Sequence, residues 1–185
     1  LAAQSDEQRA LRLLREEHRS LAAVLHALQE TIDKTPNPAD PALLRAMLFY
    51  IEQFPERLHH PKEERHLFAR LRRRSGECDA LLDELERQHR AGAERFSQLR
   101  RLLDGGDPAA FAGAARAFVQ EQWQHMSAEE TLVLPAAGRH LLAEDWHAIA
   151  AAFEINADPR FGTVESFDTL AARLLASVEA SEQDL

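Results

Sequence analysis

The sequence predicts an all-α protein, on three observations. Glycine is sparse, with 7 in 185 residues, and aromatic residues make up only 6% of the chain. Ala, Leu, Glu and Arg dominate, and each favours helix. Apolar residues then recur at spacings of three and four along several long segments, separated by breaks rich in Pro, Gly and Asp. The length suits one domain with a short extension and is ample for a hydrophobic core.

Helix one is expected from about Ser5 to Lys34, its apolar face carrying Leu11, Leu14, His18, Leu21, Leu25 and Leu28. Pro36, Pro38 and Pro41 break the pattern, and Asp40-Pro41 reads as an N-cap followed by proline at the first helical position. The second helix carries Leu44, Met47, Leu48, Ile51, Phe54 and Leu58 and continues through His59 and Glu63 to about Arg74. Pro55 and Pro61 each remove a backbone donor and are expected to kink it. One kinked helix is favoured because the apolar stripe resumes at Leu67 and Phe68; two helices joined by a tight bend is the alternative. Helix three is expected from about Glu77 to Leu103, with Leu82, Leu85, His89, Gly92, Phe96, Leu99 and Leu103 on one face. Asp104 to Pro108 is the next break, and Asp107-Pro108 repeats the cap signal. Helix four runs from about Pro108 to Leu134, with continuation past Pro135 left open, and Phe111, Ala114, Phe118, Gln122, His125, Glu129 and Leu132 form its inner stripe. Long amphipathic helices with short turns predict an up-down-up-down four-helix bundle over residues 5–154. A shorter helix at 144–153, a loop at 156–162 and a last helix at 164–180 complete the chain, the 155–185 extension packing on the bundle or at a homodimer contact.

Lys and Arg number 22 against 31 Asp and Glu, a formal charge of -9, which disfavours nucleic acid and anionic membranes as partners. Arg70, Arg72, Arg73 and Arg74 fit the last turn of a helix, where cations favour the dipole. No apolar run approaches the roughly 20 residues that span a bilayer. The single cysteine, Cys78, precludes an internal disulfide and is compatible with a cytoplasmic location. The first residues lack the apolar stretch of a signal peptide.

Each long helix places one histidine on its apolar stripe: His18, His59, His89 and His125. Two of them add a carboxylate four residues on, His59 with Glu63 and His125 with Glu129, which puts both side chains on one helical face a turn apart. A lone inward histidine is ordinarily a satisfied core residue, but six inward polar groups including two carboxylates are costly to bury without a cation. Imidazole and carboxylate together suit iron, manganese or zinc, and Glu63 and Glu129, from different helices, could bridge two ions. His60 lies about 100° around the helix from His59 and reads either as solvated or as an additional ligand. His26, His66, His140 and His147 fall off the stripe. Glu17, Glu64, Glu86 and Glu130 read as exposed or as orienting partners for ligating imidazoles.

These motifs resemble the hemerythrin/HHE cation-binding family. The match rests on Glu-Glu-His18-Arg, on His59-His-Pro-Lys-Glu63, on Gln-His89-Arg and on His125-Met-Ser-Ala-Glu129, the second and fourth aligning as an internal repeat. The resemblance implies a hemerythrin-like bundle holding two iron ions with an oxo or hydroxo bridge and two bridging carboxylates. Its oxygen-carrying members use five histidines, with a histidine pair on the third helix. Here the residue four after His89 is Ala93 and four before is Leu85, so one coordination position lacks a donor that water, His60 or a nearby glutamate would fill. That departure favours sensing or handling of O2, peroxide or nitric oxide over oxygen carriage. A peroxide-consuming or oxygen-activating enzyme and an iron-responsive interaction module remain as alternatives, with Tyr50, Trp123 and Trp146 read as packing residues.

Overall fold

Among the described residues, 4–33, 40–155 and 174, the computed structural model is helical throughout and contains no strand. Five helices follow one another: α1 (Asp6–Asp33), α2 (residues 41–74), α3 (Asp79–Asp104), α4 (residues 108–140) and α5 (Ala143–Glu154). The expected loop at 156–162 and the helix at 164–180 lie outside the described residues, apart from Leu174.

The start signals act as the sequence predicts. The Asp40 carboxylate accepts from the Ala42 N–H at 2.9 Å and the Asp107 carboxylate accepts from the Ala110 N–H at 2.9 Å, each with proline at the next position. Between α3 and α4 the chain turns through Gly106, whose φ of 70° lies in the left-handed region that glycine enters without strain.

The prolines of α2 widen the helix without breaking it. Pro55 has no N–H, and its ring crowds the carbonyl of Ile51. The helix responds with a π-helical stretch at Glu52–His59, closed by the His60 N–H donating to the Pro55 carbonyl, and with another at Glu63–Phe68. A third occupies Glu129–Val133 of α4, just before Pro135, and α4 then continues to His140. The helix is continuous, as the one-helix expectation had it, with π-helical stretches at the places where the prolines were expected to act.

α1 packs on α2 and α4, and α3 packs on α2 and α4, so the four long helices form a closed ring of neighbours. α5 lies along α1. The interior divides into two apolar clusters. One holds Leu21, Leu25 and Leu28 of α1, Met47 and Ile51 of α2, Phe96 and Leu99 of α3, Phe111 and Phe118 of α4, and Leu174. The other holds Leu14, Phe68, Leu71, Leu82, Leu85 and Val133, closed by Trp146, Ile149 and Phe153 of α5. His18, His59, His89 and His125 each fall in sequence between residues of the two clusters, in a buried polar layer. Two of the arginines at the end of α2 act as ties: Arg72 pairs with Asp83 and Glu86 of α3, and Arg74 with Glu144 and Asp145 of α5.

Leu28 is fully buried in the cluster remote from the end that α5 closes. Leu28→Ala is expected to cost about 3 kcal/mol, seen as a lower denaturation midpoint with an unchanged m-value.

Candidate metal centre

The polar layer brings together all six residues singled out by spacing and adds His60. His18, His59, His60, His89 and His125 are between 4% and 8% exposed, and Glu63 and Glu129 are each 1% exposed. Their ligand atoms fall into two groups that could each hold a metal ion: His60, Glu63, His89 and His125 in one, His18, His59, Glu63 and Glu129 in the other. The solvated reading of His60 is overturned. Its ring is buried and stacked on His89, with centroids 4.0 Å apart. The π-helical stretch explains the difference, because it takes more residues per turn and narrows the angle between neighbours below that of an α-helix. His59 and His60 can then both face inward.

Four imidazoles are oriented by an acceptor on the outer nitrogen. His18 Nδ1–H donates to Glu130 at 2.8 Å, His59 Nδ1–H to Glu17 at 2.6 Å, His89 Nδ1–H to Glu64 at 2.8 Å and His125 Nδ1–H to Gln88 at 2.9 Å. Carboxylate and amide oxygens only accept, so each Nδ1 carries its proton and each Nε2 turns a lone pair inward, the tautomer a ligating imidazole needs. The inner nitrogens meet in pairs, His18 and His59 Nε2 at 3.1 Å, His89 and His125 Nε2 at 3.0 Å. Two facing lone pairs at that distance repel unless a proton or a cation lies between them.

The carboxylates span the two groups. Glu63 Oε1 lies 3.1 Å from His59 Nε2, and its Oε2 lies 3.8 Å from His89 Nε2. Glu129 Oε2 lies 3.4 Å from His18 Nε2, and its Oε1 lies 3.1 Å from His125 Nε2. Glu63 Oε2 and both Glu129 oxygens are buried without an aligned hydrogen bond among the described residues. Desolvated anionic oxygens without donors are expensive, and a shared cation satisfies them. The donor set therefore fits divalent or trivalent cations of the iron, manganese and zinc type.

Electrostatics follow from the same contacts. Burial pushes His59 down, but the Glu63 charge and the Glu17 hydrogen bond carry it up to about 9. Burial likewise opposes His18, and the facing carboxylates of Glu129, Glu130 and Glu63 hold it well above the ordinary histidine value. Burial and the neighbouring His60 push His89 down to about 3. Against burial, the Glu129 charge raises His125. Burial and the Glu63 charge would raise Glu129, but His125 and His18 bring it to about 2.

The family model of the hemerythrin HHE cation-binding domain matches residues 9–137. The chain belongs to the hemerythrin HHE cation-binding family. That match spans α1 to most of α4 and includes all seven residues of the polar layer. No curated protein and no solved structure matches the chain.

Of the orienting partners, Glu17, Glu64 and Glu130 stand where the sequence suggested, whereas Glu86 pairs with Arg72. Gln88 was missed. Its signal was the repeat: Gln88 precedes His89 as Glu17 precedes His18, and each holds the histidine of the following helix. His26 is exposed beside Trp123, His140 pairs with Glu77 and His147 with Asp6, so all three lie outside the centre.

Three outcomes are expected. In metal-free protein a histidine raised to about 9 lends stability that is complete below its unfolded value and fades as pH rises through 9. A histidine lowered to about 3 does the reverse, losing stability as pH falls from its unfolded value. The melting temperature of metal-free protein should therefore peak near pH 6.5, the unperturbed histidine value, and fall on both sides. Metal loading at neutral pH should expel about one proton or more per chain, because ligands must give up their protons; calorimetry in buffers of different ionisation enthalpy measures it. Gln88→Leu should weaken metal binding about 10–100-fold, read by competition with a chelator.

Proposed function

We propose that the chain binds two iron ions between α1, α2, α3 and α4 and uses them to sense or handle O2, peroxide or nitric oxide. His60, His89 and His125 would hold one ion, His18 and His59 the other, and Glu63 and Glu129 would bridge them, with an oxo or hydroxo group between. The observation that carries this is the division of Glu129, one oxygen facing His18 and the other His125. Such a pair supplies one-electron chemistry toward small oxidants when bound. The chain's own part is to present neutral imidazoles with fixed outer N–H bonds, to neutralise the cations with two carboxylates and to exclude bulk water from the layer.

The two groups differ in kind, three imidazoles in one and two in the other, and with both carboxylates bridging, the position open to a small molecule would lie on the His18–His59 side. A cavity of about 210 Å³ adjoins that side, lined by His18, Ala22, Trp123, Met126 and Glu130 among others. Its apolar residues suit an uncharged diatomic. His60 also changes the argument from donor count: it would fill the place that helix three leaves empty, so the number of histidines does not separate oxygen carriage from sensing. What favours sensing or handling is the network of ionisable partners, Glu17, Glu64 and Glu130, around the imidazoles.

A peroxide-consuming or oxygen-activating enzyme has an observation of its own. A polar cavity of about 190 Å³ has His60, His89 and His125 in its wall together with Gln88 and Gln122. No described helix is long and apolar enough to cross a membrane.

The test is metal analysis with an absorption spectrum on protein from iron-replete cells, repeated after adding O2, peroxide or nitric oxide. About two irons per chain and a near-ultraviolet band of a bridged pair are expected, both lost in a Glu63→Ala, Glu129→Ala double variant. Manganese or zinc at full occupancy, or no metal, overturns the assignment to iron. Rapid peroxide turnover would move the conclusion to the enzyme.

A further inference from the structure

His60 is the one imidazole of the layer without an aligned hydrogen bond at its outer nitrogen. Its Nδ1 is buried and has no partner among the described residues. The other four follow one rule, an acceptor at 2.6–2.9 Å from Nδ1. The nearest candidate for His60 is Glu56, four residues earlier in the π-helical stretch that ends just before His60, with Oε2 3.6 Å from His60 Nδ1. The Glu56 side chain is only 10% exposed, and its Oε1 is also buried without a partner. A carboxylate and an imidazole nitrogen, each unsatisfied and a few tenths of an ångström beyond bonding distance, gain by closing the gap.

The opposite helix makes room for that carboxylate. A Cβ at Gly92 of α3 would lie 2.8 Å from both Glu56 oxygens, closer than real side chains approach. Glycine inside a helix costs about 1 kcal/mol relative to alanine, and Gly92 sits mid-helix, buried, three residues after His89. Its bare Cα is the cradle in which the Glu56 carboxylate lies.

We propose that Glu56, seated against Gly92, is the positioning residue for His60, holding its Nδ1 so that the other ring nitrogen is delivered to the ion shared with His89 and His125. This rests on the reading of His60 as a ligand of a two-metal centre. It adds a fifth oriented imidazole to the four already described, and it gives Gly92 a purpose that helix geometry alone does not. Glu56 touches no ion in this arrangement and acts only through His60. The pair is also the asymmetric element of the repeat: the residue aligned with Glu56 is Gln122, and the one aligned with His60 is Met126, which offers no Nδ1 to orient.

The experiment compares His60→Ala, Glu56→Gln, Glu56→Leu and Gly92→Ala with the unchanged chain. Chelator competition gives the affinity for each of the two irons, the near-ultraviolet spectrum reports the pair, and the melting temperature is taken without metal. Glu56→Leu is expected to weaken the iron held by His60, His89 and His125 about 10–100-fold, the usual cost of losing an orienting partner, and to alter the spectrum. Glu56→Gln, which keeps an acceptor oxygen, should recover most of that loss. Gly92→Ala should reproduce the Glu56→Leu effect by displacing the carboxylate. Metal-free Glu56→Leu should melt no lower than the parent, since an unpaired buried carboxylate has been removed. If His60→Ala weakens iron binding and Glu56→Leu does not, the positioning role is wrong while the centre stands. If Glu56→Leu merely unfolds the metal-free chain, or Glu56→Gln rescues nothing, Glu56 is structural and the proposal fails. If His60→Ala leaves both irons at parental affinity, the ligand reading of His60 fails, and the role of Glu56 with it.

Discussion

Two carboxylates and five imidazoles are buried in one layer between two apolar clusters, and the rest of the structure answers to that burden. Neither cluster can close over the layer unless its charges are balanced locally, because the desolvation of a carboxylate far exceeds what a few apolar contacts return. The chain responds with concentric shells. Inner nitrogens and oxygens face one another across the axis, while outer nitrogens are tied to Glu17, Glu64, Gln88 and Glu130. Lys62 extends the network to the protein's exterior, pairing with Glu17 at 3.1 Å and lying over the Phe153 ring of α5. The helix that lies along α1 is thereby coupled to the orientation of His59.

The π-helical stretches are the backbone's share of the same solution. An α-helix offers one inward residue per turn at a given level, too few for His59, His60 and Glu63 to converge from one strand of backbone. Widening the turns at Glu52–His59 and Glu63–Phe68 relaxes that limit, and Pro55 makes the widening cheap because it has no N–H to lose. The equivalent stretch in α4, Glu129–Val133, brings Glu129 to face Glu63 across the layer.

Much of this was legible in the sequence. Composition and the three-and-four spacing carry the helical class, and Asp-Pro pairs mark the starts of α2 and α4. Spacing on apolar stripes identifies His18, His59, Glu63, His89, His125 and Glu129, because an inward polar residue is conspicuous against leucine. His60 was read on a regular α-helix of about 100° per residue, and a change of pitch is not written in any single residue. Glu56 and Gly92 were illegible for a related reason. Their meaning lies in a contact between two helices: Glu56 keeps its local pattern, and a glycine on the apolar stripe of α3 does not say by itself what it makes room for. Gln88 and Glu130 sit midway: they stand at repeat-related positions, but only the contact with a histidine distinguishes them from ordinary exposed residues.

The internal repeat is nearly a two-fold arrangement. His59 corresponds to His125, Glu63 to Glu129 and Glu64 to Glu130, and each of the last pair reaches across to the histidine of another helix. The departure at His60, where the other half has Met126, is what gives the layer a direction. One side is rich in nitrogen donors and borders a polar cavity; the other is poorer and borders an apolar one. Occupants of the two halves would share the same two anions yet differ in electron affinity, so a single electron entering the layer would have a preferred address. A symmetric duplication would have left it none.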